Sequence, residues 1–235
     1  MSSVTHELRT PLTSIRAFSE LLHDDPKMNL ADRKRFLGLI VGETERLTRL
    51  INQTLDLAKI ESGRADWNGC ELDLKEVIEQ SIAATSQLVR EKEAHVEVDL
   101  PDNLPLILAD RDRLIQVMLN LLSNAVKFLK PGAGRIRVSL SLREAGLEVS
   151  VADNGPGIRP EDQQLIFEKF RQVGDTMTAK PSGTGLGLPI SRRIVEHFGG
   201  QLWVESVPGE GATFRFTLPF ASAQSSEEPQ PVKFI

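Results

Sequence analysis

The chain has 235 residues, 40% of them hydrophobic, which is enough for one large domain or two modest ones around a real core. Its formal net charge of −5 argues against a nucleic-acid or anionic-membrane surface. One cysteine, Cys70, excludes an internal disulfide and fits a reducing compartment, and no apolar run is long enough to span a bilayer. A soluble, cytoplasmic chain is expected. Met1-Ser2-Ser3 leads straight into a helical pattern with no secretory signal, which suggests a piece cut from a longer protein.

The first pattern places Val4, Leu8, Pro11, Ile15, Phe18 and Leu22 at steps of four and three, until Asp24-Asp25-Pro26 breaks it. A second runs Leu37, Ile40, Thr44, Leu47, Ile51, Thr54 and Ala58, ending at Glu61-Ser62-Gly63. Leu12, Leu21, Val41, Leu50 and Leu55 widen both stripes beyond a coiled-coil seam. An antiparallel helical hairpin is predicted, and its stripes are too wide for two helices to cover. It is therefore expected to dimerise into a four-helix bundle.

From about Glu71 the texture turns to mixed α and β. Leu74–Arg90 reads as a helix and His95–Leu100 as an alternating strand, and Asp110 caps a further helix to about Phe128. Strands follow at Arg135–Leu142 and Leu147–Ala152, then a Gly-rich stretch and a helix over Leu186–His197. Strands at Gln201–Glu205 and Ala212–Leu218 complete an α+β sandwich, a mixed or antiparallel sheet with helices on one face. Residues 1–64 and 65–221 are predicted as two domains, and the polar, Pro-containing 222–235 as a disordered tail.

His6 lies about 200° round the helix from both Val4 and Leu8, so it faces away from the apolar stripe. Thr10 is four residues on, within reach of the imidazole, and Glu7 is one step round, where a carboxylate favours ring protonation or accepts a ring proton. Pro11 leaves the Glu7 carbonyl without its helical donor, so a bend is expected there. Downstream, Asn120 and Asn124 share a helix face that Lys127 and Phe128 continue. Taken alone, that face reads first as a solvated polar surface and second as a hard-oxygen ligand for Mg²⁺ beside a phosphate-binding charge. DNGPGI, residues 153–158, follows a strand as a tight turn with an acid at its start. FEKF, residues 167–170, supplies two phenylalanines that suit core packing or a lid anchor, and GTGLGL, residues 183–188, opens a helix whose N–H groups suit anionic phosphate.

In this order, THELRTPLTSI, NLLSNAVKF, DNGPGI, FEKF and GTGLGL resemble the phosphoacceptor, N, G1, F and G2 boxes of sensor histidine kinases. The resemblance covers about residues 2–220. It implies a dimeric four-helix bundle followed by an α/β-sandwich ATP-binding domain of the histidine kinase, Hsp90 and gyrase type. It implies autophosphorylation of His6 by ATP and Mg²⁺, with Glu7 as general base, and transfer to an aspartate of a response-regulator receiver domain. Thr10 matches a position that positions water for dephosphorylating that regulator. It further implies a nucleotide site of Asn120, Asn124, Lys127, Phe128, Asp153, Gly155, Gly157, Ile158, Phe170, Arg171, Gly183, Thr184, Gly185, Leu186, Gly187, Leu188 and Thr213. Asn124 would hold the metal, Asp153 the adenine amino group, and Thr213 would support Asp153 through water.

Arg171 stands one place earlier than the arginine of many relatives, and Val173–Ser182 reads as an ATP lid. A membrane would enter only through a sensor region N-terminal to this chain. The alternative is an ATPase of the same fold in which nucleotide gates dimerisation and no histidine is phosphorylated. A third possibility is a binding module left kinase-silent by a truncated first helix.

Overall fold

The structure is a computed structural model that describes residues 2–172 and 183–221, without the side chains of Ser2 and Ser3. The expected lid, 173–182, and the expected tail, 222–235, lie outside the described residues. Those within Met1–Ala65 and Glu168–Gly187 group into one compact unit, and those within Asp66–Phe167 and Leu188–Ile235 into another.

In the first unit α1 spans Ser2–Asp24 and α2 spans Leu30–Glu61. α1 continues through Pro11, which is buried. Asn29 starts α2 by accepting the Asp32 amide on Oδ1 at 2.9 Å, satisfying one orphan donor of the first turn. α2 stops at Ser62, and Gly63 follows in the left-handed region at φ 68°. Phe18 of α1 stacks on Phe36 of α2 with ring centroids 5.7 Å apart. Leu50 and Leu57 are buried, whereas Leu12, Leu21, Val41 and Leu55 remain exposed. The widened stripes are therefore only partly covered within this chain.

The second unit contains β1 (Cys70–Leu72), α3 (Leu74–Glu91), β2 (His95–Asp99), β3 (Ile107–Ala109), α4 (Arg111–Phe128), β4 (Arg135–Arg143) and β5 (Gly146–Asp153). It continues with α5 (Gly187–His197) from Leu188 onward, β6 (Leu202–Val207) and β7 (Gly211–Pro219). β1 and β3 form a small antiparallel pair, and the main sheet has the order β2-β4-β5-β7-β6. β2 runs parallel to β4 and every other neighbouring pair is antiparallel. This resolves the expected sheet as mixed.

Alternation puts Ile136, Val138 and Leu140 of β4, Val149 and Val151 of β5, and Phe214, Phe216 and Leu218 of β7 in the core. There they join Leu74 and Ile78 of α3, Leu114, Met118 and Leu121 of α4, and Ile190 and Ile194 of α5. Each such side chain contributes about 1.5–3 kcal/mol on burial, which makes this layer the main support of the site. On the other sheet face, Glu148 Oε1 accepts from Arg143 at 2.7 Å and from Arg215 at 3.2 Å, so β5 is buried on both faces.

Asp110 has two tasks. Its Oδ1 accepts the Arg113 amide at 3.1 Å to cap α4, and its Oδ2 accepts the Asn68 amide at 2.8 Å. Beside it Trp67 stacks on His197 with centroids 3.7 Å apart, with Phe198 at its edge. The helix-end position of His197 would favour protonation, but burial acts the other way and lowers its pKa.

Candidate functional site

His6 sits in the first turns of α1 with 76% of its side chain exposed, as its angle to the apolar stripe requires. Its Nδ1 is 3.8 Å from Glu7 Oε1, so Nε2 is the ring nitrogen left for other partners. Thr10 Oγ1 donates to the His6 carbonyl at 3.3 Å rather than to the imidazole. Four residues of spacing brought Thr10 to His6, but the helix backbone competes for its hydroxyl.

In the second unit, α4 presents the two asparagines differently. Asn120 Nδ2 donates to the buried Ser191 Oγ at 3.0 Å and ties α4 to α5. Asn124, half-buried one turn on, has no hydrogen-bond partner among the described residues. Lys127 extends over the Phe128 ring at 4.8 Å, and burial lowers its pKa. Phe128 is 46% exposed, a large apolar surface open beside the two polar groups.

Asp153 ends β5. Burial raises its pKa, and the backbone amides of Gly155 and Ala212 oppose that shift. The Gly155 amide donates to Asp153 Oδ1 at 2.8 Å. A Cβ at Gly155 would lie 2.7 Å from that oxygen and 3.2 Å from the Phe128 carbonyl, so a larger residue would push the carboxylate out of this position. The Ile158 amide donates to Ser206 Oγ at 2.8 Å, which itself donates to the Gly211 carbonyl at 2.6 Å. These bonds fix the turn after Gly157, whose φ is 71°.

Thr213 is placed elsewhere. Register pairs Asp153 with Ala212 and Ala152 with Thr213, so Thr213 and Asp153 stand on opposite sheet faces. Ala212 is the β7 residue beside the carboxylate.

In the first unit the Phe170 amide donates to the Gly185 carbonyl at 2.9 Å. Phe170 and Gly185 both have positive φ, 61° and 67°, and a Cβ on Gly185 would meet the Phe170 backbone at 2.7 Å. Gln172 Nε2 donates to the Gly183 carbonyl at 3.0 Å, and Thr184 Oγ1 accepts the Leu186 amide at 3.3 Å. Leu186 is buried, Gly187 and Leu188 open α5, and Arg171 is exposed. Phe170 and, in the second unit, Phe167 are only half-buried, and Phe167 lies 5.0 Å beneath the Arg192 guanidinium, so neither phenylalanine is a core residue.

The second unit thus offers an unpartnered carboxamide oxygen, an ammonium and a carboxylate braced by backbone amides. This set fits Mg²⁺, which takes one or two protein ligands and completes its shell with phosphate and water, and it fits a purine amino group.

Two family profiles match the chain. One is described as His Kinase A (phospho-acceptor) domain, over residues 1–63, and the other as Histidine kinase-, DNA gyrase B-, and HSP90-like ATPase, over residues 109–222. The chain belongs to the sensor histidine kinase family. It is 36% identical over 231 residues to sensor histidine kinase WalK of Bacillus subtilis, a match covering 97% of this chain and 37% of WalK. Among solved structures it resembles ShkA full-length in complex with AMPPNP, at 32% identity and TM-score 0.70, covering 94% of this chain and 45% of that one. It also resembles histidine kinase ThkA in complex with response regulator protein TrrA, at 25% identity and TM-score 0.77, covering 95% and 61%. This chain spans 37% of the WalK length. No helix among its described residues is long and apolar enough to cross a membrane.

The sequence alone does not single out Ser191, Ser206, Ala212 or Arg46. Strand parity would have found Ala212, since Phe214, Phe216 and Leu218 fix its face. Arg46 lies on α2, 3.9 Å from Glu7 Oε2, and only the fold joins it to Glu7.

Proposed function

We propose that this chain is the phosphoryl-transfer core of a sensor histidine kinase, taking the γ-phosphoryl group of ATP onto His6 and passing it to an aspartate of a response-regulator receiver domain. The observation that carries this reading is the exposed imidazole of His6 with Nδ1 facing Glu7. That arrangement favours the tautomer with hydrogen on Nδ1, which leaves the Nε2 lone pair free to attack. As the N–P bond forms, the bond from phosphorus to the β,γ-bridging oxygen breaks and ADP leaves with the electron pair. The Nδ1 proton passes to Glu7, which acts as general base.

Asp153 receives the adenine amino group, and Gly155, Gly157 and Ile158 let the backbone approach the ring. Asn124 offers Oδ1 to Mg²⁺, which when bound neutralises phosphate charge, and Lys127 adds a positive charge on the same helix. Gly183–Leu188 present amides at the start of α5 to the phosphates. Thr10 serves dephosphorylation of the regulator by positioning water. Its bond to the His6 carbonyl holds the hydroxyl beside the reacting residue. The exposed Leu12, Leu21, Val41 and Leu55 support closure of the hairpin against a second copy. The chain is proposed as the cytoplasmic part of a longer sensor.

Labelling with γ-labelled ATP and Mg²⁺ tests the reading. Acid-labile label in the wild type that is absent from His6→Gln, and that moves to a receiver domain, supports it. Steady ATP hydrolysis without phosphoprotein would instead favour the nucleotide-gated ATPase.

A further inference from the structure

Glu7 has two oxygens and they face different groups. Oε1 lies 3.8 Å from His6 Nδ1, while Oε2 lies 3.9 Å from Arg46 Nη2 on the neighbouring helix. The other arm of Arg46, Nη1, lies 3.7 Å from Glu43 Oε2, one turn back on α2. The Glu7 and Arg46 side chains are 22% and 21% exposed, against 76% for His6. We infer that Arg46 is a positioning residue for the reacting histidine, acting through Glu7.

The physical case rests on what a glutamate does at the edge of a helix. Left alone it samples several rotamers, most of them pointing into water and away from a ring one residue earlier. The planar fork of an arginine, always charged and itself steadied by Glu43, holds one carboxylate oxygen and turns the other to Nδ1. Shelter from solvent keeps this attraction from being fully screened. Without the guanidinium, Glu7 and Glu43 lose their shared cation and like charge drives them apart. Glu7 then swings toward solvent and the ring loses its preference for hydrogen on Nδ1.

The inference rests on the kinase reading, and its test separates the two. The ¹⁵N shifts of the neutral His6 imidazole report the tautomer without any turnover. The wild type is expected to be enriched in the Nδ1–H form, and Arg46→Gln to lose that enrichment to the level of Glu7→Gln. Arg46→Lys, which keeps the charge, is expected to retain much of it.

In autophosphorylation, Arg46→Gln is expected to lower kcat about tenfold, with KM for ATP within about twofold of the wild type. Adding Arg46→Gln to Glu7→Gln should cost no more than about a further twofold, because one acts through the other. An unchanged tautomer ratio in Arg46→Gln, or a double mutant that loses the product of both single effects, would overturn the assignment. Absence of label on wild-type His6 would overturn the kinase reading alone and leave the tautomer result standing.

Discussion

Asp153 and Ala212 stand directly opposite each other on β5 and β7, and the Asp153 carboxylate is pinned at its other side by the Gly155 amide at 2.8 Å. Burial raises the Asp153 pKa more than these amides lower it. A carboxyl whose folded pKa is raised contributes most stability below its unfolded value, 3.8, and loses it as pH rises through the folded value. At neutral pH the ionised group is therefore a burden on the nucleotide-free protein. Asp153→Asn is expected to leave the apo melting temperature unchanged or higher at pH 7, while ATP affinity falls on the order of a hundredfold, the effect of losing a charged hydrogen bond in a sheltered site. Paired thermal melts and calorimetric titrations read both effects.

The two asparagines of α4 should separate by assay. Asn120→Ala removes the bond to buried Ser191 and is expected to cost about 1 kcal/mol of stability, seen as a lower urea midpoint. Ser191→Ala should cost a similar amount, and the double mutant less than the sum. Asn124→Ala should leave stability within about 0.5 kcal/mol and abolish Mg²⁺-dependent phosphorylation.

Strand parity makes a third contrast. Thr213→Ala is expected to leave ATP affinity within about twofold, because Thr213 faces away from Asp153. Ala212→Val, adding bulk beside the carboxylate, is expected to weaken ATP binding about tenfold through overpacking. Equilibrium binding of a nucleotide analogue to each variant checks the order.

His197 gives a pH signature. Its pKa is lowered from 6.5 by burial against Trp67, so the unfolded chain takes up a proton that the folded one resists. Its contribution to stability is complete above about pH 6.5 and is lost as pH falls from there through the folded value. His197→Phe keeps an aromatic ring against Trp67 and should lack this part of the decline. Urea midpoints of both proteins between pH 7.5 and pH 5, to be recorded at about half-unit steps, measure the difference.

Long periodic elements were legible in the sequence because their signals are local. The hairpin, α3, α4, α5 and the strands of the main sheet begin and end within a few residues of the expected bounds. β1 and β3 escaped, since three residues carry no usable alternation and their pairing spans a helix and a strand. The same limit applies within the site. His6, Glu7 and Thr10 are neighbours in sequence, so helix spacing alone groups them. Arg46, Ser191 and Ser206 reach their partners only through tertiary packing, which no spacing encodes. Thr13 and Ser19 bond backward to carbonyls of their own helix, as Thr10 does, a competition that side-chain spacing alone does not reveal.

The most direct measurement is the location of phosphate after incubation with Mg²⁺-ATP, by mass spectrometry of peptides kept at neutral to alkaline pH. Phosphate is expected on the His6 imidazole, lost on acid treatment and absent from His6→Gln. Phosphate retained in His6→Gln, or nucleotide consumed by the wild type with no phosphorylated His6, would contradict it.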